Sequence, residues 1–279
     1  AAKGCRVLAK MRREGLEPAV ATYSTLISAC EPESHWQGGL AVLEEMRRAA
    51  VAPDVIVYNA AISMCEKAEE WQLALALLGE VFEQGLLPNT ISYNAALSAC
   101  DRGLQWQRAL GLMQELRARG LQPSVVTYGA AISAVGKAGE GGLVLGLLEE
   151  LLRERLEPNL VAYNAAISGC SRGMLWPSAL RLLGELVGSG LQPDAISYNA
   201  ALGACARAGQ WGPALGLLAE MRGASLPPDT VSCSAAVGAC ERGCQWHLAL
   251  GLLADTPGLL GRLVAAGHLV AKGWAPERQ

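Results

Sequence analysis

The amino-acid sequence predicts an all-α protein, an α-solenoid of stacked helix-turn-helix repeats, and three observations support this fold class. A unit of 35 residues recurs without insertions along the chain. Each unit contains two apolar stripes with helical spacing, and a proline follows the second stripe. A fixed period of this length is typical of repeat proteins, in which a repeat buries its apolar surface only by stacking on its neighbours.

Aromatic residues and prolines mark the period. Tyrosines recur at one position, tryptophans at a second position with one gap at Gly141, and prolines near the close. The three series are Tyr23, Tyr58, Tyr93, Tyr128, Tyr163 and Tyr198; Trp36, Trp71, Trp106, Trp176, Trp211 and Trp246; and Pro18, Pro53, Pro88, Pro123, Pro158, Pro193 and Pro228. They predict the second half of a truncated repeat over residues 1–19, six complete repeats over 20–54, 55–89, 90–124, 125–159, 160–194 and 195–229, and a partial seventh repeat with a degenerate capping segment over 230–279.

Each repeat is expected to form two short helices. Counted from the first residue of a repeat, apolar residues at positions 4, 7, 8 and 11 have the spacing of an amphipathic first helix. Position 3 is often Ser or Thr, which we expect to be the N-cap of that helix. The second helix begins at the tryptophan position and ends before the proline, which cannot continue a helix. The Tyr, Trp and Cys series are predicted to lie in the core.

Two regions depart from the pattern. The repeat 125–159 has Gly129 in its first helix and Gly141 and Gly142 at the start of its second. Because glycine in a helix interior costs about 0.5–1 kcal/mol relative to alanine, we expect this repeat to be the least stable part of the array. In the last segment, four apolar residues are expected to line one face of a capping helix: Leu259, Leu260, Leu263 and Val264.

Composition and charge limit the function classes. Apolar residues make up 51% of the chain and charged residues 18%, which is enough apolar material for a continuous core. The formal net charge of −3 gives no overall attraction to nucleic acid or to an anionic membrane, although it is compatible with a local basic stripe. No apolar run is long enough for a transmembrane helix, so we expect no membrane contact.

The cysteines are expected to be buried and reduced. Equivalent positions in a stacked array lie one repeat apart, which is too far for a disulfide. Cys240, Cys244 and His247 have helical spacing but lack the fourth ligand of a structural zinc site, so we expect no metal and no cofactor. Six of the nine cysteines share one repeat position, namely Cys30, Cys65, Cys100, Cys170, Cys205 and Cys240.

A second face of the first helix is polar in repeat after repeat. Positions 5, 9 and 13 lie along one line of a helix, and we call them the polar face. Position 5 is Ser24, Asn59, Asn94, Gly129, Asn164, Asn199 and Ser234; position 9 is Ser28, Ser63, Ser98, Ser133, Ser168, Gly203 and Gly238; position 13, after Pro32, is Lys67, Arg102, Lys137, Arg172, Arg207 and Arg242. Six cations in register predict a basic track. The alternatives are that a cation only binds the last carbonyls of a helix, and that Asn at position 5 is a local cap.

The motifs resemble those of the pentatricopeptide repeat proteins. The resemblance covers residues 1 to about 255 and rests on the period, a [IV]-x-Tyr-Asn-x-x-[IL] opening, an Ala-Leu-x-Leu-Leu-x-Glu-Met second helix and a Gly-Leu-x-Pro-Asp close. It implies a right-handed superhelix that binds single-stranded RNA, one base per repeat, in mitochondria or chloroplasts.

The resemblance also implies roles for individual residues. Position 5 and the closing residue of the same repeat would recognise a base: Ser24 with Asp54, Asn59 with Asn89, Asn94 with Ser124, Gly129 with Asn159, Asn164 with Asp194, and Asn199 with Asp229. Ser234 would belong to the same series, without a recognisable partner. Position 2 residues would sandwich the bases: Ala21, Ile56, Ile91, Val126, Val161, Ile196 and Val231. The cations at position 13, listed above, would lie near phosphates.

The family's pairing rule suggests the order G, C or U, C, a weak A, U and U from the 5′ end. Gly129 departs from the pattern, because it has no side chain with which to contact a base edge. The pair of Asn with Asp, which implies U, occurs in two successive repeats.

A binding array is predicted rather than an enzyme. The histidines include no His-x-Glu, and Cys-x-x-Cys is absent, so a deaminase-type zinc site is not predicted. We expect a monomer that binds single-stranded RNA in organellar RNA processing, stabilisation or translation, with other RNA-processing proteins as further partners. The alternative is a protein-interaction scaffold that binds peptides, and its affinity would depend much less on salt than that of an RNA-binding array.

Overall fold

A computed structural model describes residues 2–30 and 36–254 of the chain. These residues form fifteen α-helices, and no β-strand occurs among them. The helices are α1 (Ala2–Arg13), α2 (Val20–Ser28), α3 (Trp36–Arg48), α4 (Val55–Lys67), α5 (Trp71–Glu83), α6 (Thr90–Arg102), α7 (Trp106–Ala118), α8 (Val125–Lys137), α9 (Gly141–Arg153), α10 (Leu160–Arg172), α11 (Trp176–Gly188), α12 (Ala195–Ala208), α13 (Trp211–Gly223), α14 (Thr230–Arg242) and α15 (Trp246–Ala254). The even-numbered helices are the first helices of the repeats, and the odd-numbered ones from α3 onward are the second helices.

The chain forms two compact units whose boundary falls inside the repeat 125–159. Among the described residues, the N-terminal unit comprises 2–30, 36–138 and 150–157, and the C-terminal unit comprises 139–149 and 158–254. In the N-terminal unit, first helices stack in the order α2, α4, α6 and α8; in the C-terminal unit, the order is α10, α12 and α14. Within each unit, first helices also pack against their own second helices, as α4 does on α5 and α10 on α11. The predicted α-solenoid of helical hairpins is confirmed.

The two apolar stripes form the core as predicted. In α4 the residues at positions 4, 7, 8 and 11 are all buried, and Tyr58 is the largest of them. The second helix α5 contributes Ala74, Leu77, Leu78 and Val81. Because these residues repeat at helical spacing, every hairpin buries one stripe from each of its helices.

The prediction that the tryptophans lie in the core is only partly confirmed, because Trp36, Trp71 and Trp106 pack against the core without being fully buried. Trp211 and Trp246 expose 38% and 54% of their surface, and the other four are only partly buried. Each tryptophan is the first residue of a second helix, and Trp71 and Trp211 lie against the glycine that ends the first helix of the next repeat. A β-carbon on Gly243 would lie 2.6 Å from Cδ1 of Trp211, so that indole packs directly on the end of α14.

The cysteine prediction is confirmed for burial. Cys65, Cys100, Cys170, Cys205 and Cys240 are buried free thiols, whereas Cys30 is partly buried and Cys244 is exposed. Burial raises the pKa of the Cys170 thiol to about 11, which keeps it neutral near neutral pH.

Two further expectations concern the ends and the membrane. The capping helix expected around Leu259 to Val264, and Pro32 of the position 13 series, lie outside the described residues. Within residues 2–30 and 36–254, no helix combines the length and the apolar character needed to cross a bilayer.

Candidate functional site

The closing residue of each complete repeat is the N-cap of the first helix that follows. Asp194 has an extended backbone (φ −106°, ψ 179°), and its Oδ1 accepts a 2.9 Å hydrogen bond from the backbone N–H of Ser197. Asn159 caps α10 in the same way, through a 2.9 Å bond from the backbone N–H of Ala162. By contrast Ala19, which precedes α2, makes no side-chain cap.

The prediction that position 3 is the N-cap is therefore wrong. The first helices begin at position 1, because the closing residue before them satisfies an N–H group of the first turn. The hydroxyl at position 3 instead accepts a hydrogen bond from the backbone N–H of the closing residue, which completes a capping box. Four helices contain this reciprocal pair: α6, α8, α12 and α14.

Four of the predicted base-recognition pairs are joined by hydrogen bonds between side chains. In each pair Nδ2 of the asparagine at position 5 donates to the closing residue 30 positions later. The distances are 3.4 Å for Asn59 and Asn89, 3.5 Å for Asn94 and Ser124, 3.1 Å for Asn164 and Asp194, and 3.2 Å for Asn199 and Asp229. The position 5 asparagines are thus not local caps, since these bonds link two consecutive hairpins.

The remaining predicted base-recognition residues behave differently. Ser24 donates its hydroxyl to the carbonyl oxygen of Ala21 at 3.0 Å, within its own helix. A β-carbon built on Gly129 would meet no atom within 4 Å, so that position is open space. Ser234 lies partly buried on α14.

A second partner of the position 5 asparagines was missed in the sequence. The hydroxyl at position 3 of the next repeat donates to Oδ1 of each asparagine at 2.6 Å: Ser92 to Asn59, Thr127 to Asn94, Ser197 to Asn164, and Ser232 to Asn199. The signal was present as a recurrent spacing of 33 residues between Asn and Ser or Thr. The spacing does not by itself reveal the contact, because Ser or Thr near the start of a helix is equally well explained by capping.

The position 2 residues form a row of exposed apolar side chains. Ile56 exposes 66% of its surface and Val161 exposes 71%, although both lie in first helices that bury an apolar stripe. Ala21 is exposed as well. The remaining members of the row are Ile91, Val126, Ile196 and Val231, each at least half exposed. Nothing in the packing of the described helices requires β-branched apolar residues at these positions.

Several cations at position 13 bind the end of the preceding first helix. Nε of Arg207 donates to the carbonyl oxygen of Ser171 at 2.8 Å, and Nη1 of Arg242 donates to that of Ala206 at 2.7 Å. These carbonyls belong to the last turns of α10 and α12, where a positive charge is favourable. These cations thus bind helix-end carbonyls, which is the alternative role considered for them. The helix they bind belongs to the preceding repeat and not to their own.

Other position 13 cations form ion pairs across the same boundary. Nζ of Lys137 lies 2.8 Å from Oδ2 of Asp101, and Nε of Arg102 lies 3.4 Å from Oε1 of Glu66. All six cations remain exposed at the surface: Lys67, Arg102, Lys137, Arg172, Arg207 and Arg242. In the C-terminal unit, burial together with the nearby charges of Arg172 and Arg242 lowers the pKa of Arg207.

Hydrogen bonds lower the pKa values of two closing carboxylates, those of Asp194 and Asp229. Burial by itself would raise the pKa of Asp194, but the bonds from the backbone and hydroxyl of Ser197 and from Asn164 outweigh it, and the pKa lies below the usual 3.8. The same balance, with Ser232 and Asn199 as donors, lowers the pKa of Asp229. Each aspartate is therefore a charged hydrogen-bond acceptor at the polar face.

The fold and the polar face together define a helical-repeat array that presents a similar set of side chains once in every repeat. The profile of the "Pentatricopeptide repeat domain" matches residues 4–33, 41–102, 111–172 and 181–242, and that of the "PPR repeat" matches residues 21–51 and 161–191. The chain belongs to the pentatricopeptide repeat family. No curated protein matches the chain.

Solved structures with a similar fold include other repeat arrays of this kind. The pentatricopeptide repeat protein PPR10 from maize is 22% identical with a TM-score of 0.58, over 98% of this chain and 46% of the maize protein. The same protein in complex with an 18-nt psaJ RNA element is 23% identical with a TM-score of 0.55, over 95% of this chain and 42% of that one. The PPR domain of protein-only RNase P 1 from Arabidopsis thaliana, in complex with tRNA, is 14% identical with a TM-score of 0.55, over 63% of this chain and 93% of that domain. This chain thus spans less than half the length of the maize protein.

Proposed function

We propose that the chain binds single-stranded RNA with sequence selectivity, each complete repeat contacting one base. The observation that carries this proposal is the hydrogen-bonded pair of a position 5 asparagine and a closing residue, which recurs beside an exposed apolar side chain. Asn164, which is bonded to Asp194, lies three residues after exposed Val161 on α10, so the two share one face of that helix. Such a unit can form hydrogen bonds with the edge of a base through its polar pair and can pack against the face of the base through its apolar side chain.

The two Asn–Asp pairs fit uracil chemically. Nδ2 of Asn164 has a second hydrogen beyond the one donated to Asp194, and the aspartate has a second oxygen beyond the one that caps α12. A donor beside an acceptor complements a carbonyl oxygen beside the N3–H group of uracil. Cytosine has an acceptor at N3 instead, so the carboxylate oxygen would face a lone pair and be disfavoured.

The basic track supports binding to a phosphate backbone. Arginine has five N–H donors, so the hydrogen bonds from Arg207 to Ser171 leave donors for a phosphate. If all six position 13 cations contact phosphates, log Kd should change with log salt with a slope of roughly 4 in magnitude.

Related proteins support the same function. The maize protein PPR10 and the Arabidopsis RNase P domain were both crystallised with RNA. We extend this binding to the present chain and propose that it acts as a monomeric binding array rather than an enzyme, in mitochondria or chloroplasts. A fluorescent fusion of the whole gene product would test the compartment.

Selection of short RNAs from a random pool tests the proposal. The wild-type array should enrich two adjacent uridines, one for each Asn–Asp pair. Asn199→Ser combined with Asp229→Asn should shift the last letter from U towards A and leave the others unchanged. The matched control, Asn164→Ser with Asp194→Asn, should shift the preceding letter instead.

Failure to enrich any sequence, together with no RNA binding at low salt, would overturn the proposal. In that case the polar face should be tested for binding of peptides. A protein-interaction scaffold would show an affinity that changes little with salt.

A further inference from the structure

We propose that the buried hydroxyl at position 3 is a positioning residue that fixes which end of the preceding repeat's asparagine faces the RNA, and that it is thereby a third determinant of base specificity. The residues are Ser92, Thr127, Ser197 and Ser232. This inference rests on the proposed RNA binding and concerns how selectivity arises within it.

The hydroxyls are buried although they are polar. Ser92, Thr127, Ser197 and Ser232 each have 0% exposed surface, and only one other buried polar residue, Ser171, occurs in the part of the chain that the structure describes. A buried polar group is retained only where it has hydrogen-bond partners. Each of these hydroxyls has them on two sides, the closing residue and the asparagine of the preceding repeat.

The direction of the hydroxyl proton is determined by the backbone. Oγ of Ser197 accepts a 3.2 Å hydrogen bond from the backbone N–H of Asp194, which can only donate. The hydroxyl proton must therefore point to an acceptor. Oδ1 of Asn164, at 2.6 Å, is nearer than Oδ1 of Asp194, at 2.9 Å.

This proton in turn determines the orientation of the asparagine. An amide has a donor end and an acceptor end of nearly the same shape, so a rotation by half a turn exchanges them. With Oδ1 of Asn164 held by Ser197, Nδ2 is the end that faces Asp194 and the exposed polar face. Without the hydroxyl, only the carboxylate of Asp194 would hold Nδ2 of Asn164 towards the polar face, so the preference for this orientation, and with it the selectivity for a base acceptor over a base donor, should weaken.

The sequence contains its own comparison. Every complete repeat with asparagine at position 5 is followed, 33 residues later, by Ser or Thr. The two complete repeats without that asparagine lack the hydroxyl: Ser24 is followed by Val57, and Gly129 by Ala162. Capping does not explain this pattern, because Asp54 and Asn159 cap α4 and α10 without a hydroxyl at position 3.

Loss of one hydroxyl is the first test. Kd would be measured for Ser197→Ala and Ser197→Thr against RNAs carrying 5′-GCCAUU-3′ or the same sequence with C, A or G at the fifth letter. We expect Ser197→Ala to reduce the preference for U over C at that letter by roughly fivefold, the size of one hydrogen bond, and to leave the sixth letter unchanged. Ser197→Thr should retain the wild-type preference, as Thr127 does the same task for Asn94.

A gain of selectivity is the second test, and it does not depend on the fold tolerating the loss of a buried hydroxyl. Ser24→Asn creates an Asn–Asp pair with Asp54 but leaves Val57 at position 3. Adding Val57→Thr supplies the hydroxyl at nearly constant volume. The double variant should prefer U at the first letter more strongly than Ser24→Asn alone.

Each outcome decides the matter. If wild type prefers U at the fifth letter and Ser197→Ala keeps that preference in full, the hydroxyl is only part of the capping box and the positioning role is wrong, while RNA binding stands. The positioning role is established by two results together. The preference for U at the fifth letter must fall in Ser197→Ala but not in Ser197→Thr. The preference for U at the first letter must be stronger in the variant with Ser24→Asn and Val57→Thr than in Ser24→Asn alone. If wild type binds no RNA, both proposals fall.

Discussion

The side chains of Asn164 and Asp194, 30 residues apart, are joined by a 3.1 Å hydrogen bond from Nδ2 to Oδ1. The same oxygen of Asp194 accepts the backbone N–H of Ser197 and so caps α12. The carboxylate of Asp194 therefore stabilises the hairpin that follows it and also lies beside Asn164, the position 5 asparagine of its own repeat. A substitution at a closing position acts on stability and on recognition together, which gives the first prediction.

Asp194→Ala should lower the free energy of unfolding by about 1 kcal/mol, because α12 loses its N-cap. Asp194→Asn should cost much less, since the amide oxygen still accepts the N–H of Ser197. Urea unfolding followed by circular dichroism measures both. Equal losses for the two variants would show that charge, and not capping, is what matters at this position.

Acid should destabilise the protein through the same carboxylates. Because the folded-state pKa values of Asp194 and Asp229 lie below 3.8, their contribution to stability is complete above the unfolded-chain pKa. It is lost as pH falls from there through the lower folded-state pKa values. We expect the variant with both Asp194→Asn and Asp229→Asn to show a weaker fall in unfolding midpoint below about pH 4 than the wild type.

Gly103, the C-cap of α6, and Gly111, inside α7, should respond oppositely to substitution by alanine. A β-carbon on Gly103 would overlap the indole of Trp71, so Gly103→Ala should destabilise the N-terminal unit by about 1–3 kcal/mol. A β-carbon on Gly111, inside α7, meets no atom within 4 Å, so Gly111→Ala should stabilise by about 0.5–1 kcal/mol. Urea unfolding midpoints compare the pair, and shifts of the same sign would contradict the described packing of Trp71.

The basic track can be tested by salt titration. Arg172→Gln should reduce the magnitude of the slope of log Kd against log salt by about 0.7, the share of one phosphate contact on a single strand. The control is Arg181→Gln on α11, where the arginine pairs with Glu185 at 3.0 Å and lies off the polar face. An unchanged slope for Arg172→Gln would remove this residue from the phosphate track.

The thiols should differ sharply in reactivity. Cys244 is exposed, whereas burial raises the pKa values of Cys65, Cys100, Cys170 and Cys205 to about 11. Alkylation of the native protein near pH 8 should modify Cys244 more than about a hundredfold faster than Cys170, because the thiolate is the reactive form. Mass spectrometry of tryptic peptides measures the rates, and unfolding in urea should abolish the difference.

Much of the fold could be predicted from the sequence because helix formation and burial are local properties of a repeat. The buried stripe of Tyr58, Ala61, Ile62 and Cys65 follows from spacing along a single helix. The identical period then requires neighbouring hairpins to stack, since one hairpin cannot bury both of its stripes. The start of each first helix was misplaced by a few residues, because an N-cap signal at position 3 competed with the stronger one at the closing position.

The sequence by itself determined the period, the two helices of each repeat, the buried stripes and the set of residues on the polar face. Only the tertiary structure decided how the repeats are joined. It gave the direction of the hydrogen bond from Ser197 to Asn164, the binding of Arg242 to the carbonyl oxygen of Ala206, and the partial exposure of Trp211. The physical reason is that these contacts link residues of two consecutive hairpins, so their donors, acceptors and exposure depend on how one hairpin sits on the next.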